Sequence, residues 1–378
     1  MASEPPLPEE RAQHASRRGH PGRLPSRRPS ASSGSGDAGW AGPSGSGFCF
    51  TVDDCWLDGW HGPTAIVADA GGFRLASDSD PTASAHLAGT ILPGFRDAHV
   101  HLGLIDGAAL LGGGIAVAHD FGWGLESART WPTVTALPEV RIAGQLLTAP
   151  GGYPTASGWA PPDASREVAI PDDAPTAVDE QIDAGATFIK VALNSDAGPV
   201  FEDATLAAIV GHAHERHVAV AAHAQGAGQA ARAFSAGVDL LAHAPWSERL
   251  PDDLIAAMAK AMSWVSTLDI HGWGRFSEDF AVANDNVRRF HAAGGRIRYG
   301  TDLGNGPLPV GVNERELLAL EHAGLELDAL AAAIAPAPAP GTLGQRISRI
   351  THPQQDDPAH WLATARLIDH DNLEEHLT

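Results

Sequence analysis

Lysine is almost missing from this chain: of 25 basic residues only Lys190 and Lys260 are lysines, and the rest are arginines. Cysteine is as scarce, with Cys49 and Cys55 close together near the start. Two cysteines build no disulfide framework, so nothing in the sequence requires an oxidising compartment. No apolar run reaches the roughly 20 residues that span a bilayer. No apolar h-region of a secretory signal is present either. These absences lead to the expectation of a cytoplasmic protein with no membrane partner. Cations as a whole are outnumbered, 25 to 46, for a net charge of −21. Residues 1–46 hold six arginines and four acids, so the remainder carries 19 basic and 42 acidic side chains, a balance of −23. Such a body repels nucleic acid and anionic membrane surfaces. It is compatible with holding divalent cations.

What is present divides into regions. Residues 1–46 are rich in Pro, Ser, Gly and Arg and bury too little apolar surface to offset chain entropy, so they read as a disordered tail. Residues 47–90 show short, alternating, turn-rich runs at Phe48–Val52, Ala65–Ala68 and Phe73–Ala76, the pattern of a small β-domain. Residues 342–378, beyond the prolines at 336, 338 and 340, are candidates to complete it. Between them, residues 91–341 alternate apolar runs with helical stretches. The runs are 91–95, 115–121, 140–147, 188–193, 218–222, 240–244, 264–270 and 297–300. Helical patterns fall at 203–216, 227–236, 252–261, 279–293 and 313–323. Strands separated by helices predict parallel βα units, and eight of them predict a (β/α)₈ TIM-type barrel. A chain of 378 residues, 43% hydrophobic, is long enough for that barrel plus an appendage.

A barrel of this kind carries its active site at the C-terminal strand ends. After the first run stand His99 and His101, two apart, so that both imidazoles face one way from an extended segment. After the fifth and sixth runs stand His223 and His243. After the eighth stands Asp302, a carboxylate able to ligate a metal and to take a proton. Lys190 sits inside the fourth apolar run. In a chain so poor in lysine, its position there asks for a chemical reason. A neutral amine in a low-dielectric site reacts with carbon dioxide to give a carbamate, an anion with two oxygens. Arginine has no such chemistry. Any one of these residues has an ordinary explanation as a core or surface side chain; the ordered set at five strand ends does not.

This set resembles the amidohydrolase superfamily. It is most similar to the branch of imidazolonepropionase-related proteins, metal-dependent prolidases and Xaa-Arg dipeptidases. The resemblance is carried by Pro93-Gly94-Phe95-Arg96-Asp97-Ala98-His99-Val100-His101, by Gly185–Val191 around Lys190, by Val220–Gly226 around His223, by Ala236–His243 and by Gly300-Thr301-Asp302. It implies two divalent ions, most often zinc. One would take His99, His101, carbamylated Lys190 and Asp302; the other would take Lys190, His223 and His243. A bridging hydroxide would be the nucleophile and Asp302 the proton shuttle, for hydrolysis of an amide-type C–N bond in a dipeptide, an N-acyl amino acid or a cyclic amide. Relatives often carry Gly-Gly-His after the third strand, where this chain has Gly151-Gly152-Tyr153. Tyr153 is therefore expected to polarise the scissile carbonyl and to touch substrate. The usual C-terminal helix and strand of these relatives are not recognisable.

His271, ending the seventh run, is a second candidate to contact substrate. His119 and Asp120, ending the second run, are candidates to support the site or to pack in the core. Trp123, Trp159, Trp246 and Trp273 all follow strands and are expected on the catalytic face. The expected partner is a small-molecule substrate, with a homo-oligomer compatible with the sequence. Two other functions compete: a mononuclear deaminase on the same barrel, and a binding protein that retains the barrel without catalysis. The family's deaminases place Glu three residues after the strand-five histidine, where this chain has Gly226, and the complete ligand set argues against a mere binder.

Overall fold

The computed structural model describes residues 47–354 and 356–378; the expected disordered tail, 1–46, lies outside the described residues. A seven-stranded sheet is built from both ends of the described chain, in the order Thr342–Gly344, Gly72–Leu75, Thr64–Asp69, Phe48–Cys55, Ala85–Pro93, Ile347–Ile350 and Arg366–Ile368. Alternation along its strands turns Phe50, Val52, Ile66, Leu87, Ile91 and Ile347 into one buried apolar cluster. Two expectations change here. Ile91 and Leu92 do not open the first parallel strand. They end the sheet strand Ala85–Pro93, because its backbone pairs with both Phe48–Cys55 and Ile347–Ile350. A C-terminal helix, Pro358–Ala363, and the strands around it are also formed, although no family-like pattern marks them in the sequence.

The remaining strands run parallel. Arg96–Val100, Val117–Asp120 and Glu139–Ile142 form one sheet. Ser165–Glu167, Leu146–Thr148, Phe188–Asn194, Ala219–Gln225, Leu240–Leu241, Ser263–Val265 and Arg296–Arg298 form another, in that order. Backbone hydrogen bonds also join the two sheets. At one edge Ala98 N donates to Tyr299 O (3.0 Å), Asp302 N to His99 O (2.8 Å) and His101 N to Leu303 O (2.8 Å). At the other, Thr187 N donates to Ile142 O at 3.0 Å.

The third apolar run is not one strand. It breaks at Gly144, whose φ of +76° suits glycine and whose missing Cβ leaves room for Gln181 Oε1. That oxygen accepts Gln145 N at 2.7 Å, so a side chain replaces the interrupted ladder. The seventh run shortens to Ser263–Val265. Beyond it Glu316, fully buried, accepts Leu268 N (2.9 Å) and Asp269 N (2.7 Å) and holds a 3₁₀ turn, Asp269–His271.

The five helical patterns all become helices, at Asp203–Glu215, Gln229–Ser235, Asp252–Ala261, Glu278–Ala292 and Glu314–His322. Two have side-chain N-caps: Ser277 accepts Phe280 N and Asn313 accepts Arg315 N. Their apolar faces pack on alternate strand residues such as Val220 and Ala222 to form the main core. The intervening residues, Ala98, Phe121, Ala221, Ala242 and Val265, form a smaller cluster on the other strand face. Among the described residues no helix is long and apolar enough to cross a membrane.

Candidate active site

Strand geometry delivers the candidate residues to one place. His99 lies within Arg96–Val100 and His101 follows it; Lys190 and His223 lie within neighbouring parallel strands; His243 and Asp302 follow two others. All six line one cavity of about 120 Å³. Lys190 and all five other groups are buried. Ring centroids of His99 and His243 are 4.7 Å apart, of His223 and His243 4.9 Å, and of His99 and His101 5.3 Å. Donor atoms of His99, His243 and Asp302 all fall within 4.8 Å of one another, so residues that the family resemblance divides between two ions share one neighbourhood.

The surroundings orient each ring. His99 Nδ1 meets Ala242 O at 2.9 Å, His101 Nδ1 meets Gly122 O at 3.3 Å and His243 Nδ1 meets Thr267 Oγ1 at 3.0 Å. With Nδ1 protonated against those acceptors, each Nε2 presents a lone pair. His223 is held the other way, its Nε2 against Asn194 Nδ2 (3.3 Å) and Gln225 Oε1 (3.2 Å). Asp302 Oδ1 lies 3.1 Å from His99 Nε2 and 3.3 Å from His101 Nε2. Yet His99 Nε2 and Asp302 Oδ1 are both buried without a hydrogen-bond partner. A lone pair and a carboxylate oxygen left unsatisfied side by side suit a cation between them.

Asp97 ties the two ends of this arrangement together. Its Oδ1 accepts His99 N and Thr301 N at 3.0 Å each, and its Oδ2 accepts the Thr301 hydroxyl at 2.6 Å. Burial pushes its carboxyl up to about 7 against those hydrogen bonds. Asp302 itself adopts a left-handed φ of +56°, a conformation that costs about 1–3 kcal/mol outside glycine and concentrates at functional sites. Asn305 Nδ2 donates to its Oδ2 at 3.0 Å.

Charge in the cavity follows from burial and from one carboxylate. Burial opposes ionisation of Asp302, but His99, His101 and His243 outweigh it and hold its carboxyl well below the usual range. Burial lowers His99 and His243 and takes His223 down to about 3. For His101 burial works in the same direction, and the nearby Asp302 carboxylate, with Asp120, reverses it. Burial also takes the Lys190 amine down to about 7, against the pull of Asp302. Its Nζ lies 4.6 Å from the centroid of the Phe121 ring.

Around the donors stand aromatic walls. The Tyr153 ring stacks on His223 at 5.0 Å and its hydroxyl accepts Trp159 Nε1 at 3.1 Å; Trp246 packs edge-on to His223 and His243. Burial, then the Asp302 charge, raises the Tyr153 phenol to about 12. Trp123 lies behind Trp159, at 6.5 Å, and Trp273 is exposed. His271 is not among the cavity-lining residues: Ile270 takes that position, and the His271 ring packs on Trp246 at 4.9 Å. His119 is buried away from the donors, near Phe188, and Asp120 accepts Leu102 N and Gly122 N as a backbone anchor. Asn194, Gln225, Thr267 and Asn305 escape sequence reasoning, since a lone amide or hydroxyl near a strand end carries no pattern.

No family model matches the chain, and no curated protein sequence matches it. Solved structures do. A Xaa-Pro dipeptidase with methionine bound in its active site is similar over 88% of this chain and 100% of its own, at 20% identity and a TM-score of 0.68. The ochratoxinase of A. niger is similar over 85% and 93%, at 19% identity and 0.68. Phenylurea hydrolase B is similar over 86% and 96%, at 13% identity and 0.64. The chain shares its fold with these solved structures.

Proposed function

We propose that the chain is a metal-dependent amidohydrolase, cleaving an amide-type C–N bond in a dipeptide, an N-acyl amino acid or a cyclic amide. We also take its two parallel sheets to close as one (β/α)₈ barrel, a closure supported by the backbone bonds between Ala98 and Tyr299, Asp302 and His99, and Thr187 and Ile142. One observation carries the function: six metal-type donors, far apart in sequence, line the same buried cavity.

The residues fit two divalent ions, with zinc favoured by the imidazole-rich set. His99, His101 and Asp302 would hold one, His223 and His243 the other, with carbamylated Lys190 as the ligand shared by both. The bridge forms when the neutral Lys190 amine adds to the carbon of carbon dioxide and releases one proton. When bound, such ions polarise a carbonyl and lower the pKa of water at the site. Asp302 accepts the water proton on its carboxylate and passes it to the leaving nitrogen. Tyr153, which keeps its proton, donates its hydroxyl hydrogen to the carbonyl oxygen. Trp159 and Trp246 narrow the entrance and exclude bulk water. A deaminase is disfavoured at Gly226, which carries no carboxylate and whose φ of +95° would strain a Glu placed there.

The test is reconstitution with zinc and bicarbonate, elemental analysis, and a panel of dipeptides, N-acyl amino acids and cyclic amides. Close to two ions per chain and chelator-sensitive turnover of a C–N substrate are expected. One ion per chain, with ammonia released from an aminated heterocycle instead, would favour the deaminase.

A further inference from the structure

Away from the histidine cavity, the same strands carry a cluster of the opposite character. Arg96 opens its strand, Arg141 lies two strands away, and Arg298 lies in the strand on the other side. His119 pairs in register with Arg141. Arg96 and Arg141 line a pocket of about 30 Å³ that Arg346, from the seven-stranded sheet, also lines. Glu139 is the one acid in its wall, and it is already engaged by Arg141 at 3.0 Å.

Counter-charge is thin here: Arg141 has Glu139, while Arg96 and Arg298 form no ion pair among the described residues. Arg96 Nε is buried with no hydrogen-bond partner, and the residue forms no ion pair among the described residues. Arg298 reaches only Ser263 Oγ, at 3.2 Å. The nearest carboxylate to Arg346 Nε is Asp369, at 4.0 Å. His119 Nε2, facing the same arginines, is a second buried orphan. Burial takes the Arg96 guanidinium down to about 10, and Arg141 and Arg298 add to the effect. A body with a balance of −23 gathers four arginines and one acid here against its overall trend. Buried charges are normally paired or bind an ion.

We propose that this pocket is a binding site for a small tetrahedral oxyanion of the phosphate or sulfate kind, held by Arg96 and Arg141 with Arg346 at its mouth. Planar guanidinium groups match the paired oxygens of such an ion. Its volume of about 30 Å³ leaves no room for a nucleotide.

The experiment is a sulfate titration of the metal-loaded full chain at fixed ionic strength, read by thermal melting and calorimetry. Sulfate is chosen because phosphate also binds metal centres. The expected result is a saturable rise in Tm that grows with the logarithm of concentration above Kd. Arg96→Gln is expected to weaken the sulfate Kd at least tenfold while keeping the metal content. In sulfate-free buffer it is expected to melt at or above the wild-type temperature, since it removes a half-buried charge that has no ion pair. Arg129→Gln, on the surface, is the control. Arg141→Gln repeats the test should Arg96→Gln not fold. No saturable shift, or an equal shift in wild type and the arginine-pocket variants, overturns the proposal.

Discussion

The histidine cavity and the arginine pocket are built on the same parallel strands and hold opposite chemistry. The first gathers lone pairs and one carboxylate, with His99 Nε2 and Asp302 Oδ1 unsatisfied. The second gathers guanidinium groups, with Arg96 Nε and His119 Nε2 unsatisfied. Both bury polar atoms that the protein itself does not pair, and the sign of the missing partner differs. The difference lies also in support. Each histidine ring is oriented by a carbonyl, hydroxyl or amide, whereas Arg96 has no such partner among the described residues. Preorganised donors suit a site that must position reacting atoms; loosely held cations suit an ion that only balances charge.

The largest effect that would break this contrast is at Lys190. Lys190→Ala is expected to lose close to one divalent ion per chain by elemental analysis, with activity falling in step, because two cations are left with less negative charge between them. Millimolar formate or acetate is expected to restore part of both. Lys190→Arg is not expected to rescue, and near-normal activity in that variant would refute the bridge. Next comes Asp302→Asn, expected to lower kcat by roughly 10²–10⁴-fold, the scale of general acid–base catalysis. Metal content is measured in the same sample; unchanged turnover at full occupancy would assign the proton transfer elsewhere.

Tyr153→Phe comes third. If the hydroxyl donates to the carbonyl oxygen, kcat should drop about 10²-fold with KM little changed, the lower range for loss of one such donor. A change confined to KM would make Tyr153 a wall residue. The smallest effect sharpens the comparison of support: Thr267→Val removes the partner of His243 Nδ1, and zinc affinity is expected to weaken about 10–100-fold in a chelator competition. Unaltered affinity would show that the ring needs no such anchor.

Local pattern carries far along this chain. Asp252–Ala261 is helical where its periodicity falls, because apolar positions such as Ile255 and Met258 share one face that the core covers. The six residues that meet in the cavity are legible in the sequence because each stands at or beside a short apolar run, and because lysine is too rare for Lys190 to pass as background. Errors cluster where a distant partner decides. Ile91–Phe95 is as apolar as any core strand, and pairing with Phe48–Cys55 and with Ile347–Ile350, some 250 residues on, assigns its first half to the other sheet. The break at Gly144 depends on Gln181, and the turn at Asp269–His271 depends on Glu316. His271 has the same sequence credentials as His243, and Trp246 beside it separates the two outcomes.

By itself, then, the amino-acid sequence determined the alternation of strands and helices, the candidate donor residues and the His-x-His spacing, since these follow from burial periodicity and side-chain chemistry within a few residues. Only the tertiary structure decided that His99, His243 and Asp302 lie within 4.8 Å of one another, that Asn194, Gln225 and Thr267 orient the rings, and that Arg96, Arg141 and Arg346 share a pocket. Such meetings join segments up to about 250 residues apart, and no local period encodes them; they arise when parallel strands pack in register and bring their ends together.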